Sequence, residues 1–157
     1  MREVTSASVV VRARPAVVWA LLAGLEAYPA WTRAVRISGE GRLGAELDYQ
    51  VTGQTRGGKV RTVHFLGPVT RWEEGRVAAW RAGVPVLLDI YFTLTLEAPG
   101  PVTRVWHSVQ VDGVFAGWTA RLLARVLSPP VQQFLADLEA RVGRRAWTRA
   151  GSRRGRR

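Results

Sequence analysis

The chain has 157 residues, no cysteine and a formal net charge of +11 at pH 7. That length suits one domain, which buries roughly 70% of the surface its unfolded chain exposes and needs no disulfide or metal staple. The missing cysteine excludes disulfides, thiolate metal sites and a cysteine nucleophile.

Residues 5–13, TSASVVVRA, alternate imperfectly and carry three consecutive valines, which predicts a first strand. Pro15 then suits the first turn of a helix, where its missing N–H costs nothing. That helix places Val18, Leu21, Leu22 and Leu25 at helical spacing, and Gly24 is a natural stop. A second helical turn, LEAY, is expected to end before Pro29. From there the period changes to two. AVRISG predicts a short strand. In AELDYQVTG, Leu47, Tyr49 and Val51 share one face and Glu46, Asp48 and Gln50 the other. QTRGGK reads as a hairpin turn. VRTVHFLGPVTRWEE reads as a long strand that Gly67-Pro68 bends or bulges. VAAWRAG follows as a further strand. In LLDIYFTLTLEA, Leu88, Ile90, Phe92, Leu94 and Leu96 alternate with polar neighbours. In VTRVWHSVQVDG, Val105, His107, Val109 and Val111 share a face. After Gly113 the period becomes helical, with Leu123, Leu127, Val131, Leu135, Leu138 and Val142 near one stripe. Pro129 and Pro130 predict a kink or break near 128–130, with Ser128 capping a fresh helix.

The charge is uneven. Arg144, Arg145, Arg149, Arg153, Arg154, Arg156 and Arg157 crowd the last residues, and subtracting these seven from +11 leaves +4. The domain is therefore expected over 1–143, with 144–157 a disordered basic tail. Seven arginines with Trp147 suit nucleic-acid phosphates or an anionic membrane surface, or serve only as a solubilising extension. Arginine outnumbers lysine 22 to 1, a ratio that resembles the imprint of a GC-rich genome, so part of the charge is expected to carry no function. The opening MREVTSASVVVRARP does not read as a signal peptide, and no apolar stretch approaches the ~20 residues that span a bilayer. The expectation is a soluble cytoplasmic protein.

The order of elements resembles the START-like helix-grip superfamily, also called SRPBCC. That superfamily includes birch-pollen-allergen-like proteins and polyketide cyclase/dehydrase-type domains. The matching pieces are Pro15, Val18-Trp19, YPAW at 28–31, GPV at 67–69, AAWRAG at 78–83, TRVWHSVQVDG at 103–113 and the terminal amphipathic helix. The resemblance implies an α+β helix-grip fold: a curved antiparallel sheet of six to seven strands around a long C-terminal helix, with two short helices closing one end. It also implies an apolar cavity between sheet and helix, without fixing one activity.

The side chains expected to reach that cavity are Tyr28, Trp31, Tyr49, Trp80, Phe92, His107, Trp118 and Leu122. Plain core packing competes with ligand contact for Tyr28 and Trp31. His107 is the one candidate general base, with a satisfied core histidine as the alternative. Arg121 and Arg125, one turn apart, suit a carboxylate at the cavity mouth or a solvated face. No metal-ligand spacing, nucleophile elbow or phosphate loop is present, so no metal and no cofactor are expected. The leading expectation is a binder or carrier of a small apolar ligand: a lipid, an isoprenoid or a polyketide-like aromatic. The alternatives are a cyclase/aromatase using His107 and Tyr49, and a membrane- or nucleic-acid-associated protein acting through its tail.

Overall fold

The structure, a computed structural model, describes residues 1–54 and 56–154, with side chains through Gly143. Its elements run β1 (Arg2–Val11), α1 (Pro15–Ala23), a 3-10 helix (Leu25–Ala30), β2 (Val35–Ser38), β3 (Glu46–Gln54), β4 (Val60–Glu73), β5 (Val77–Val84), β6 (Leu88–Glu97), β7 (Thr103–Asp112) and α2 (Ala116–Arg154). The seven strands form one antiparallel sheet in the order β1-β7-β6-β5-β4-β3-β2. This is the helix-grip architecture: a curled sheet holding a long helix, with the two short helices between β1 and β2.

The period-two pattern decides which face the sheet buries. Ile90, Phe92, Leu94 and Leu96 point inward from β6, and Val105, His107, Val109 and Val111 from β7. From α2 come Leu127, Val131, Phe134, Leu135, Leu138 and Val142, all buried. Val18, Trp19, Leu21, Leu22 and Leu25 add the short helices to the same core. Trp72, near the end of β4, also joins this core. It is half-buried, 5.2 Å from Trp19 edge to face, and Gly41 has no side chain because the Trp72 ring fills that space.

The curl has an identifiable seam. β4 pairs with β3 as far as Pro68 and with β5 from Val69 on, with a register shift between Val69 and Arg71. A Cβ on Gly67 would lie 1.9 Å from the Arg81 carbonyl oxygen, so only glycine allows β4 to pass from one partner to the other here.

Two helix expectations are corrected. The 3-10 helix carries Pro29 inside it rather than ending before it, because i→i+3 bonding tolerates the proline at that point. α2 does not break at 128–130: Pro129 and Pro130 sit inside one helix. Each removes one backbone bond, a cost of about 3 kcal/mol, but Leu127, Val131 and Phe134 are clamped on the sheet on either side, and tertiary burial outweighs it. The expected boundary near residue 143 falls within α2, and the side chains of 144–157, including the seven arginines and Trp147, lie outside the described residues. Among the described residues no helix is long and apolar enough to cross a membrane.

Candidate functional site

His107 is the centre of the interior. It is 1% exposed, and its Nδ1 lies 3.2 Å from the Thr93 carbonyl oxygen. A carbonyl only accepts, so Nδ1 carries the proton. Nε2 is then an acceptor, and the Tyr49 hydroxyl donates to it across 3.1 Å. In a flat sheet β3 and β7 would stand about 19 Å apart, four strand spacings. The sheet's curl is what brings Tyr49 and His107 into contact.

Burial pushes His107 down to about 4, against the upward pull of its backbone hydrogen bonds at Thr93 and Ser108. The imidazole is therefore neutral at pH 7. Burial also raises Tyr49 well above the ordinary phenol value, so its hydroxyl stays protonated. Around this pair stand Phe92, 4.7 Å from Tyr49, and Trp80, 5.2 Å from Tyr49 and stacked on Phe92 at 5.8 Å. The Trp80 indole N–H is buried with no hydrogen-bond partner among the described residues.

The YPAW segment closes the other end. Tyr28, Trp31 and Phe134 form a triangle with ring centroids 5.0 to 5.5 Å apart. The Tyr28 hydroxyl donates to the Leu22 carbonyl at 2.7 Å, and the phenol is raised by burial first and by Tyr49 second. Beside it, Thr32 donates to Asp137 at 2.8 Å and so ties the 3-10 helix to α2. A shallow polar depression of about 480 Å³ lies over this junction.

Six of the eight expected residues thus meet in one interior: Tyr28, Trp31, Tyr49, Trp80, Phe92 and His107. Their rings pack on one another. Trp118 and Leu122 do not join them, being 82% and 60% exposed. The reason is helical phase: Trp118 lies about 180° around α2 from the inward Leu127, and Leu122 about 140°. Phe134 is the interior residue the sequence reading missed. Its signal is the spacing 127, 131, 134, 138, which runs beside the expected stripe, whose Leu127, Val131, Leu135, Leu138 and Val142 are all buried.

Open space lies where α2 leaves the β3–β4 hairpin. A cleft of about 790 Å³ runs there between Val51 and Val63 on the sheet and Val126, Pro129 and Pro130 on the helix. Gly53 and Gln54 complete the sheet side, and Arg56, Arg61 and Arg125 also line the space. Of the two helix arginines considered for a cavity mouth, Arg125 is there and Arg121 is not. Among the described residues none of the three lining arginines is in an ion pair. Pro129 and Pro130 have no N–H, so the Arg125 and Val126 carbonyls lack their i+4 donors. Val51 is buried and faces the same way as Tyr49, about 7 Å along β3.

The second histidine plays no part in this arrangement. His64 is exposed on β4, 3.2 Å from Asp48. Among the described residues no three His, Cys, Asp or Glu side chains are grouped to hold a metal.

Residues 2–143 match the family described as polyketide cyclase / dehydrase and lipid transport. Solved structures share the fold at low identity. The protein TTHA0849 from Thermus thermophilus is 20% identical, with a TM-score of 0.63 over 88% of this chain and 95% of that one. The Zhui aromatase/cyclase from Streptomyces sp. R1128 is 17% identical, with a TM-score of 0.62 over 90% and 94%. A START superfamily protein from Mycobacterium smegmatis is 19% identical, with a TM-score of 0.60 over 89% and 97%. Comparison with curated proteins finds no match.

Proposed function

The chain belongs to the polyketide cyclase/dehydrase and lipid transport family, and from that premise we propose that it binds one small apolar ligand with an acidic end. The ligand lies in the cleft between the β3–β4 hairpin and α2. The observation that carries this reading is the cleft itself. Its volume of about 790 Å³ is within the range of about 300–1,000 Å³ typical of small-molecule sites. Its walls are valine and proline, and its charged lining residues are all arginines. An apolar body packs between Val51, Val63 and Val126, and a carboxylate or phosphate meets the guanidinium groups. Residues 1–143 form the binding domain in this reading.

Binding is favoured over catalysis by the state of His107. A general base works best with a pKa near the operating pH. His107 sits near 4, and its free lone pair already accepts from Tyr49. The Tyr49–His107 contact does support a second reading, an aromatase/cyclase in which substrate displaces the Tyr49 hydroxyl from Nε2. Under that reading a His107→Ala variant loses turnover of any identified substrate, and undiminished turnover removes the proposed base.

Native mass spectrometry of the purified chain, followed by denaturing extraction, tests the binding reading. The expected result is one apolar acid per chain. A clean apo mass, together with no calorimetric binding of dodecanoate or 2-naphthoate, overturns it.

A further inference from the structure

Beyond the cleft, the molecule exposes a second apolar surface. Val86 and Leu87 form the turn between β5 and β6. The Val114 N–H donates to the Val86 carbonyl at 2.9 Å, and the Phe115 N–H to the Leu87 carbonyl at 3.0 Å. These bonds clamp the turn to the segment entering α2. Gly113 allows the clamp: it has φ +111°, and a Cβ there would lie 2.7 Å from the Leu87 carbonyl oxygen. Phe115, Trp118 and Leu122 follow at spacings of three and four and share one helix face. Val86 and Val114 are each 74% exposed, and Phe115 is exposed as well. Single exposed apolar residues are ordinary, but a contiguous set of this kind marks an interaction surface.

The turn retains its valine at a cost. Val86 has φ +71°, the only positive value at a non-glycine position among the described residues. It follows Pro85 in a turn closed by the Leu87 N–H to the Val84 carbonyl, where glycine or asparagine fits without strain. Strain of this kind is retained where the side chain has a use.

The charge around the ridge has one sign. Residues 113–136 contain no carboxylate and two arginines, Arg121 and Arg125. The Arg2 guanidinium lies over Gly117, 3.8 Å from where its Cβ would be. The carboxylates nearby are engaged: Asp112 with the terminal amino group at 3.6 Å, and Asp89 with Arg81 at 3.9 Å.

We propose that this ridge docks on an anionic lipid bilayer. Val86, Phe115, Trp118 and Leu122 enter the headgroup region, where tryptophan is favoured, and Arg2 and Arg121 meet lipid phosphates. Pairing with a second copy of a chain of charge +11 would set like charges together and is disfavoured. One turn beyond Leu122, Val126 walls the cleft, so docking holds the cleft one helical turn from the lipid. The proposal does not depend on the ligand reading.

The test is flotation of the full chain with phosphatidylcholine vesicles, with and without phosphatidylserine. The expected result is binding to the phosphatidylserine vesicles, reduced about tenfold or more in a Trp118→Ser/Leu122→Ser variant. A Val86→Gly variant is expected to bind more weakly without a lower melting temperature, which separates docking from folding. Failure to bind either vesicle overturns the proposal. So does binding unchanged in the double variant, which assigns it to the terminal arginines, or a sedimenting dimer that the double variant dissolves.

Discussion

At the scale of single residues, the buried hydrogen bond from Tyr49 to His107 holds the centre of the interior. Removing the Tyr49 hydroxyl leaves Nε2 of His107 buried without a donor. Tyr49→Phe should therefore lower stability by about 1–3 kcal/mol, read as a shift of the urea midpoint. His107 also makes stability depend on pH. Its folded value near 4 is below the unfolded value of 6.5, so between those values the unfolded chain holds the extra proton. Stability from this group is complete above about pH 6.5 and falls as pH drops toward 4, by on the order of 3 kcal/mol. Thermal melts of the wild type and a His107→Gln variant across that window check the sign. The wild type should lose more stability than the variant on acidification, and parallel curves would remove His107 as the cause. The strand alternation Val105, His107, Val109 already aimed this imidazole inward. Its partner was not legible, because contact between β3 and β7 depends on the curl of the whole sheet rather than on either strand.

At the scale of elements, glycine and proline decided the outcome, and in opposite ways. An irregularity near Gly67-Pro68 was readable, and the structure places a change of partner at Val69 and a register shift between Val69 and Arg71. The structure adds that Gly67 sits against the Arg81 carbonyl oxygen, at a distance a Cβ cannot occupy. Gly67→Ala should thus destabilise by about 2 kcal/mol or more, since the obstructing atom is backbone and cannot rotate away. Equilibrium unfolding in urea measures this, and a variant within about 0.5 kcal/mol of wild type would mean β4 changes partner by other means. Of the kink or break expected at Pro129-Pro130, the break does not occur. Local rules assign proline a fixed cost, but the buried stripe on both sides of the pair holds α2 together. Trp118 was misplaced for a related reason. The first half of α2 keeps an apolar face that does not turn toward the sheet, and composition does not distinguish a core face from a docking face.

For the whole molecule, the order and spacing of the pieces made the helix-grip fold legible, while the location of open space was not. Aromatic supply pointed to a cavity lined by Tyr28, Trp31, Tyr49, Trp80, Phe92 and His107. Those rings pack on one another, and a cleft lies beside them, between the β3–β4 hairpin and the helix around the two prolines. Volume of this kind depends on how two elements diverge, which no single segment encodes. The most direct test is an amide NMR titration of the full chain with dodecanoate. The expected shifts concentrate at Val51, Gly53, Val63, Arg125 and Val126 and saturate at one ligand per chain. Shifts confined to Phe115, Trp118 and Leu122, or none at all, would contradict a ligand site in the cleft.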